Sequence, residues 1–597
     1  MNIYIEHIKN CTSSALLNKV GRVSTIKWII IAALMITPSA MALFFIKEYG
    51  VNVPVFDQWV EAPGLFDKYY RGLLSFNDLF VPNWEHRPFL GRLVILSLGL
   101  ITRYNNLAEM YLSWFLLCIT CILLLRIYTK YFGATQAALI KSVPVIWLLF
   151  SLRQWESLLR GDTCTWFMAL LFFVLTVYLL NADRNTPWRF AFAIISGIAC
   201  TFSHAVGLTV WPIGLILILL NWRSCDKESS RLYFKMVIIW CLTAIVVFVT
   251  YFVGFSMPPG YEPHYYKDQP LTALSFIFVA MGSPLALDIW AAAGIGISLL
   301  LLYVCFIGYI TKRKFVIPPV VRISIMLIFF SLFTVALLVP SRSGIGLERA
   351  ILSRYTTFIG LGIAGLYMLI LQIDQRPNNL KPLLFGFILA LMISGIIAVD
   401  SHAISVDGKA AKDEGLKAAY YVVNFETQSD EDLAGLCYGH LEFVKEGAAI
   451  LKKYELNVFS QPNWDIAELT PVEGNSSFRV DIVNGRQAAL PDSYFTVDGQ
   501  NEKKVIIQGW AIDKIADKAA GGVIVNIDGK QDLVAMYGLD RTDVSTFYKN
   551  DALRFTGYSA SFATSVLDKG KHIITLKIIS ADHNGYYETE GFILDVK

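Results

Sequence analysis

The residues best suited to acid–base chemistry lie in short segments that directly follow long apolar runs. Asp57 is the clearest example, in the segment Phe-Asp-Gln-Trp just after the first run. A carboxylate beside an apolar surface can have a raised pKa, which lets it take a proton from a hydroxyl group near neutral pH. Asp57 is therefore our best candidate for a general base. Aspartate at such a position also commonly caps the helix that follows, and the two roles are compatible.

A second cluster, Glu85-His86-Arg87, lies further along the same loop. Two amphipathic segments, one after Asp57 and one from Pro88, would hold both clusters near the boundary between water and lipid. We therefore expect Glu85 and His86 to join Asp57 as catalytic residues. The three could also bind a metal, but they do not have the defined spacing of metal ligands, so no metal site is predicted.

Composition places these clusters in a membrane protein. Of the 597 residues, 55% are hydrophobic and 17% are charged, whereas soluble domains carry about 25% charged residues. The deficit of charge lies in the first 400 residues. Two short apolar stretches, 88–101 and 270–283, are typical of interfacial or re-entrant helices. Roughly eleven longer segments meet the requirements of a membrane span: 27–46, 107–126, 136–151, 164–181, 190–204, 206–221, 235–256, 285–310, 319–339, 356–373 and 382–399.

The basic residues of the loops indicate how these spans are oriented. With the N-terminus in the cytoplasm, every loop that should be cytoplasmic is basic, for example Arg126 with Lys130 and the run 312–314. An odd number of spans then places the C-terminal region outside the cytoplasm. Ala40-Met41-Ala42 resembles a signal-peptide cleavage site. The apolar run continues beyond it, so we expect this segment to remain as a span.

Several arginines lie in the loops on the external side, against the positive-inside rule. Charge near a membrane is costly and usually has a partner or a task, and the planar guanidinium group binds phosphate through two hydrogen bonds. Each arginine taken singly could be a headgroup contact or a salt-bridge partner. Their clustering on one side favours a site for a lipid phosphate. They are Arg87, Arg92, Arg153, Arg160, Arg342, Arg349 and Arg354.

The same external loops contain other polar and aromatic residues that we expect to bind the substrate. His204 could equally be a hydrogen-bonded histidine at the end of a span, and His264 lies in a loop rich in proline and tyrosine, which could be a stiff lid. Aromatic rings could stack on sugars, but tyrosine and tryptophan also populate membrane interfaces. The predicted substrate-binding residues are Arg153, Glu156, His204, His264 and Tyr355.

The C-terminal region has the composition of a soluble domain. We expect a helical connector at 401–470 after the membrane domain at 1–400, and a mainly-β sandwich at 471–597, with turns at Asp528-Gly529 and Lys569-Gly570. Cys437 is the only cysteine there, so no disulfide can form within it. Four aromatic residues could grip a polysaccharide, although packing inside the fold is the favoured interpretation. They are Trp510, Tyr537, Tyr586 and Tyr587.

With these features the chain resembles the GT-C-type integral-membrane glycosyltransferases, which include lipid A aminoarabinose transferases, protein O-mannosyltransferases and phage O-antigen glucosyltransferases. The shared organisation is an acidic residue after the first span, two juxtamembrane helices in the first external loop and, in many members, a terminal soluble domain. Many relatives have two acidic residues where this chain has Asp57-Gln58, which leaves open whether Glu61, Glu85 or no second carboxylate contributes. Short segments also match a group of bacterial membrane proteins: Phe56-Asp57-Gln58-Trp59, Asn83-Trp84-Glu85-His86-Arg87, Arg153-Gln154-Trp155-Glu156, Trp211-Pro212-Ile213-Gly214 and Ser353-Arg354-Tyr355-Thr356-Thr357.

The resemblance implies a polyprenyl-phosphate sugar donor and a reaction on the periplasmic face of the bacterial inner membrane. Asp57 would deprotonate the acceptor hydroxyl. Arg354, with Arg342 or Arg87, would bind the donor phosphate and stabilise its charge as it leaves. Attack opposite the phosphate would invert the anomeric centre. No metal or other cofactor and no nucleic acid is expected.

The sequence thus predicts a glycosyltransferase of the hexosyltransferase type that decorates a cell-envelope glycan such as O-antigen or lipopolysaccharide. An O-antigen polymerase or ligase is an alternative enzyme. A transporter or flippase for lipid-linked sugars would have ionisable residues in mid-span and repeat symmetry, and the sequence shows neither. A non-catalytic envelope scaffold would have no use for the external ionisable residues.

Overall fold

The protein was analysed as a computed structural model. The structure describes residues 2–83, 86–181, 186–255, 265–312, 317–373, 381–460, 469–472, 476–488 and 494–597.

Contacts within the chain form two units, and each is described by itself. The first consists of Met1–Gly50, Ser75–Ile95 and Leu107–Ala411. The second consists of Val51–Leu74, Leu96–Asn106 and Lys412–Lys597. The segment that carries Asp57 therefore clusters with the C-terminal residues.

Most of the described residues as far as residue 402 lie in helices. They are α1 (Asn2–Tyr49), α2 (Gln58–Tyr70), α3 (Phe76–Phe80), α4 (Phe89–Thr102), α5 (Asn106–Phe132), α6 (Gln136–Leu149), α7 (Trp155–Leu158), α8 (Cys164–Leu180), α9 (Pro187–Thr201), α10 (Val210–Trp222), α11 (Lys227–Phe252), α12 (Tyr265–Asp268), α13 (Pro270–Gly282), α14 (Ile289–Lys312), α15 (Pro319–Arg342), α16 (Thr356–Ile373) and α17 (Lys381–His402).

Eight helical segments in the described part of the chain are long and apolar enough to cross a membrane. Four further apolar helices are shorter, and they include the two stretches that the sequence assigns to interfacial or re-entrant helices. These findings confirm a helical region of membrane type, while the number of spans, roughly eleven, stays a prediction. The eight segments are Thr25–Tyr49, Asn106–Phe132, Gln136–Leu158, Ala205–Trp222, Lys227–Phe252, Ile289–Gly308, Pro319–Ile345 and Ser353–Gln372.

The apolar helices of the first unit differ greatly in how far they are buried. In Ser353–Gln372, 83% of the apolar window lies inside the protein, whereas the value is 22% for both Lys227–Phe252 and Ile289–Gly308. An apolar helix that is not covered by protein needs another apolar surrounding. The last two helices therefore have the surface expected of helices that face lipid.

Two glycines allow α13 and α14 to approach closely. A Cβ atom on Gly282 would lie 1.9 Å from the carbonyl oxygen of Ala292, and one on Gly296 would lie 1.8 Å from the carbonyl oxygen of Phe278. Small residues at such crossings are typical of packed membrane helices, because close packing replaces the hydrophobic driving force that lipid does not supply.

The second unit contains further helices and all the strands described. They are α18 (Gly408–Val423), α19 (Asp430–Ala434), α20 (Leu441–Lys453), α21 (Thr542–Tyr548), β1 (Thr470–Pro471), β2 (Ser476–Val483), β3 (Arg486–Gln487), β4 (Tyr494–Val497), β5 (Lys504–Asp513), β6 (Lys518–Ala519), β7 (Gly522–Ile527), β8 (Gln531–Val534), β9 (Met536–Leu539), β10 (Gly557–Ala563), β11 (Gly570–Ile579), β12 (Gly585–Glu588) and β13 (Phe592–Val596).

The strands form two sheets around one apolar core. In one sheet β11 pairs with β7, β12 and β13, and in the other β5 lies between β2 and β10. Ile507 and Phe562 of the second sheet belong to the same buried cluster as Val525 and Leu576 of the first. Two sheets that share a core in this way form a sandwich. The predicted β-rich C-terminal region is thus confirmed.

Three buried asparagines connect the short segments of the second unit to its C-terminal part. The side-chain nitrogen of Asn457 donates to Oδ1 of Asn106 at 2.7 Å and to Oδ1 of Asn52 at 3.1 Å. The backbone N–H of Asn106 also donates to Asn52, at 2.8 Å. Since buried polar groups need such partners, this cluster holds the loop that leads to Asp57.

Candidate functional site

Many of the predicted site residues in the first unit lie in short 3-10 segments at the ends of long helices. These segments include Leu152–Gln154, Ala205–Thr209 and Ser353–Tyr355. Between α15 and α16 the chain turns at Gly346, whose φ of 130° is accessible to glycine but strained for other residues. The predicted site residues in these segments thus lie where the long apolar helices end.

Glu156, predicted to bind substrate, holds the segment that starts α16. Its carboxylate accepts hydrogen bonds from the hydroxyl of Ser353 at 2.8 Å and from the backbone N–H of Arg354 at 3.2 Å. The backbone N–H of Glu156 in turn donates to the Ser353 hydroxyl at 3.1 Å. The guanidinium group of Arg354 lies 3.9 Å from the other carboxylate oxygen. Glu156 therefore positions Arg354 through contacts with both the backbone and the side chain of the arginine.

Tyr355 lies between the two arginines that the sequence pairs for phosphate binding. Nε of Arg342 donates to the Tyr355 hydroxyl at 3.3 Å. The guanidinium carbon of Arg354 lies 5.5 Å from the centre of the Tyr355 ring, which is within the range of a cation–π contact. Arg342 and Arg354 are thus brought to one residue, whose ring is buried.

A group of neighbouring rings, called the ring cluster below, extends from Tyr355 to His204. The centres of the Trp166 and Tyr355 rings are 6.5 Å apart, and those of Trp166 and His204 are 4.7 Å apart. His86 lies against the other histidine, with 4.4 Å between the ring centres. The structure therefore brings His86, His204 and Tyr355 into one cluster in the first unit.

The guanidinium group of Arg87 is bound by backbone carbonyls. It donates to the carbonyl oxygens of Tyr251 at 2.9 Å and Phe80 at 2.7 Å, and also to that of Val253. Its side chain is buried, and burial lowers its pKa. Arg87 therefore joins the end of α11 to the segment before α4.

Arg153 has a similar environment. Its Nε donates to the carbonyl oxygen of Ala286 at 3.2 Å, and Nη2 donates to that of Ile351 at 2.6 Å. A buried arginine that satisfies carbonyl groups in this way is a structural brace between loops. Of the arginines predicted for the site, Arg342 and Arg354 are thus the two that meet at one residue.

Asp57 occupies the position before α2 in the second unit, yet its side chain makes no capping hydrogen bond. The preceding Phe56 has a φ of 51°, which is uncommon for a bulky residue. Its backbone N–H donates to the carbonyl oxygen of Leu436 at 3.0 Å, and its ring stacks on Tyr438 with 5.0 Å between centres. These contacts hold the strained residue that presents Asp57.

The charge of Asp57 acts on a neighbouring thiol. Burial raises the pKa of Cys437 to about 11, and the negative charges of Asp57 and Glu442 contribute to the rise. A buried thiol with a raised pKa is unreactive. Asp57 itself is half-buried.

Two predicted site residues, Glu85 and His264, lie outside the described residues. Within the described ranges, no group of three or more metal-ligating side chains occurs.

Sequence reasoning missed three residues of this region in the first unit. Trp166 and Ser353 are recognised only through their contacts with Tyr355 and Glu156. Asp400 is buried and accepts hydrogen bonds from the hydroxyl of Ser151 at 2.7 Å and the N–H of Leu152 at 2.8 Å. A carboxylate at the end of an apolar run was the signal that could have identified it.

The aromatic residues suggested as polysaccharide platforms mostly serve the fold. The hydroxyl of Tyr537 donates to the carbonyl oxygen of Ala511 at 2.6 Å and accepts from the N–H of Ala520 at 2.9 Å. Tyr587 is buried in the core, and Trp510 packs against a small satellite cluster. These three residues therefore pack inside the fold, which is the interpretation that the sequence favours for them.

Comparison with known proteins identified no relative: no protein-family model matches the chain, and no curated protein matches it either.

Proposed function

We propose that this protein is a membrane glycosyltransferase that moves a sugar from a polyprenyl-phosphate donor to a cell-envelope glycan. The observation that carries the proposal is the meeting of Arg342 and Arg354 at Tyr355. Two guanidinium groups that both contact one tyrosine offer the positive charge and the planar donors that bind a phosphate group.

The predicted topology supports this assignment. The ring cluster and the arginines come from segments that are distant in the sequence, near His86, Glu156, His204 and Arg342. The sequence predicts that all of these segments are external. Their convergence in one unit is consistent with a single orientation of the helices. A reaction on the periplasmic face of the bacterial inner membrane is the corresponding proposal for location.

The chemistry assigned to the arginines follows from the charge that develops in the reaction. As the acceptor oxygen forms a bond to the anomeric carbon, the bond from that carbon to the phosphate oxygen breaks and its electron pair stays on the phosphate. Arg342 and Arg354 would stabilise the resulting charge, and Glu156 would hold Arg354 in place. No step in this scheme requires a metal.

The base that takes the proton of the acceptor hydroxyl is assigned to Asp57 from the sequence resemblance. Two observations within its own unit agree with an active role. The carboxylate is not used to cap α2, and a strained residue precedes it, as often occurs at functional positions.

The test compares envelope glycans in cells that lack the protein and in cells that carry wild-type or variant chains. Asp57→Asn and Arg354→Ala should each abolish the sugar increment in the glycan mass. The matched controls are Asp268→Asn and Arg223→Ala, which change exposed residues outside the proposed site and should leave the increment unchanged.

The outcomes separate the competing functions. An increment that survives Asp57→Asn would remove that residue as the base. A change in glycan chain length instead of a single added sugar would favour a polymerase or ligase. Unchanged glycans together with failed export of lipid-linked sugars would favour a transporter.

A further inference from the structure

The imidazole ring of His204 has a defined tautomer. The backbone N–H of Val206 donates a hydrogen bond to Nδ1 of His204 at 3.2 Å, as part of the start of the 3-10 segment Ala205–Thr209. A nitrogen that accepts a hydrogen bond carries no proton, so the ring is neutral and its single proton is on Nε2.

This Nε2–H group is buried and has no hydrogen-bond partner among the described residues. His204 is 7% exposed, so bulk water does not replace the missing partner. Buried donors almost always have acceptors, and one that does not calls for an explanation such as an absent ligand. A proton on Nε2 also means that this nitrogen cannot take a proton from a substrate.

The ring is held in place by its neighbours. His86, Trp166 and Phe358 lie around it, with ring centres 4.4, 4.7 and 5.4 Å away. Rotation of the ring would break these contacts together with the hydrogen bond from Val206. The direction of the Nε2–H group is therefore set by packing.

The electrostatic surroundings of the ring favour an anionic acceptor. Arg342 is near enough to interact electrostatically with His204, and it also reaches the hydroxyl of Tyr355. The Nε2–H group and the guanidinium group of Arg342 both donate hydrogen bonds. An oxygen with negative charge accepts from both and forms the stronger, charge-assisted bond with the guanidinium group, which a neutral sugar hydroxyl does not.

We propose that Nε2–H of His204 donates a hydrogen bond to an unesterified phosphate oxygen of the donor lipid, whose negative charge Arg342 helps to balance. This inference rests on the proposed function and names the residue that adds a neutral donor to the arginine pair. His204 is thus a phosphate-binding residue and takes no part in proton transfer.

Two substitutions of His204 separate its two nitrogens. In His204→Asn the side-chain oxygen can replace Nδ1 as the acceptor for Val206, but nothing replaces Nε2. In His204→Gln the amide N–H group can reach the position of Nε2, but the bond from Val206 is lost. Arg223→Ala serves as the control because this exposed residue, directly after α10, is not among the arginines assigned to the phosphate site.

The experiment measures binding of undecaprenyl phosphate to the full chain in lipid nanodiscs. We expect His204→Asn to weaken binding about ten- to hundredfold, as the loss of one hydrogen bond to a charged group predicts. His204→Gln should retain most of the affinity, and Arg223→Ala should bind like the wild type. Melting temperatures identify any variant that fails to fold. In that event ¹⁵N-histidine NMR of the wild type provides the decisive measurement.

The NMR signals test the tautomer directly. Nε2 should carry the proton in the free protein, and the Nε2–H signal should move downfield when undecaprenyl phosphate is added. A proton on Nδ1, a signal that does not respond to the lipid, or unchanged affinity in a folded His204→Asn variant would overturn the proposal. Inorganic phosphate and phosphatidic acid are tested in parallel, and equally tight binding of either would overturn the assignment to the donor lipid.

Failure of this inference is distinguishable from failure of the proposed function. If sugar transfer occurs in cells and His204→Asn transfers at the wild-type rate, the role of His204 is wrong and the function stands. If His204-dependent lipid binding occurs but no glycan gains a sugar, the function is wrong and the phosphate site stands.

Discussion

The carboxylate of Glu156 accepts a hydrogen bond from the backbone N–H of Arg354 at 3.2 Å, although the two residues are 198 positions apart. The same carboxylate accepts a hydrogen bond from the hydroxyl of Ser353 at 2.8 Å. It therefore connects the loop after α6 to the start of α16. Because the guanidinium group of Arg354 also lies 3.9 Å away, the backbone and the side chain of this arginine depend on one acidic residue.

Removal of this carboxylate should affect both stability and transfer. Glu156→Ala leaves the donors of Ser353 and Arg354 without their acceptor, so we expect a loss of about 1–3 kcal/mol in the free energy of unfolding. Glu156→Gln keeps an acceptor oxygen and should lose less. Thermal unfolding of the full chain in nanodiscs measures the difference, and equal stabilities of both variants and the wild type would contradict it.

Replacement of an arginine by lysine at the proposed phosphate site should weaken donor binding while charge is retained. Lysine has no planar fork, so Arg342→Lys and Arg354→Lys should each raise the KM for the donor lipid about tenfold. The matched change Arg223→Lys, at an exposed residue, should leave KM unchanged. An unchanged KM in both site variants would remove bidentate phosphate binding from the scheme.

The crossing of α13 and α14 should tolerate an added methyl group at one glycine but not at another. Gly296→Ala places a Cβ atom 1.8 Å from the carbonyl oxygen of Phe278, whereas the space beside Gly294 is open. We therefore expect Gly296→Ala to lower the melting temperature and Gly294→Ala to leave it unchanged. Similar melting temperatures for the two variants would mean that α13 and α14 pack less closely at this crossing than they do in the structure.

The asparagine cluster of the second unit should control the loop that carries Asp57. Asn457→Ala removes the donors to Asn52 and Asn106 from a buried place, and we expect a loss of about 2 kcal/mol in stability. The backbone N–H of Asn106 should also exchange with solvent faster. Hydrogen exchange with mass spectrometry detects this change. The control is Asn501→Ala, which removes an exposed asparagine.

An ion pair in the β-sandwich should make stability depend on pH. Nδ1 of His572 lies 2.7 Å from a carboxylate oxygen of Asp528, and Nε2 lies 2.8 Å from the carbonyl oxygen of Asp568. Burial opposes charge on both side chains, but the hydrogen bonds outweigh it. The pKa of His572 is therefore raised above 6.5 and that of Asp528 is lowered below 3.8.

The sign of the effect follows from these two directions. The contribution of His572 is fully present below pH 6.5 and is lost as the pH rises through its raised pKa, while that of Asp528 is present above pH 3.8 and is lost as the pH falls. His572→Gln should therefore lower the melting temperature most near pH 5 and least above about pH 8. A difference from the wild type that stays constant over this range would contradict the pairing.

The local elements of this protein could be predicted from its sequence. Apolar runs of sufficient length lie within helices in the structure, since a span is recognised from composition alone. Strands β5, β7, β10 and β11 lie in the region 471–597 that the sequence predicts to be mainly β, and at the predicted turn Asp528 and Gly529 both adopt the left-handed conformation. These features depend on neighbours in the chain, so the order of residues is enough to identify them.

The roles of individual polar residues depended on partners that are distant in the sequence. Arg87 and Arg342 are alike in the sequence as external arginines. In the structure, however, the first binds carbonyl groups of residues more than 160 positions away and the second meets Tyr355. Asp400 lies at the end of a predicted span, and its hydrogen bonds come from Ser151 and Leu152.

The sequence by itself determined that this is a helical protein of membrane type with a β-rich end, and that its ionisable residues gather at the ends of apolar runs. Composition and periodicity are local properties, and the cost of placing charge in lipid acts on each residue separately. Only the tertiary structure decided which arginines meet at Tyr355, which carboxylate holds Arg354, and which rings surround His204. Those properties are set by contacts between segments that chain order does not bring together.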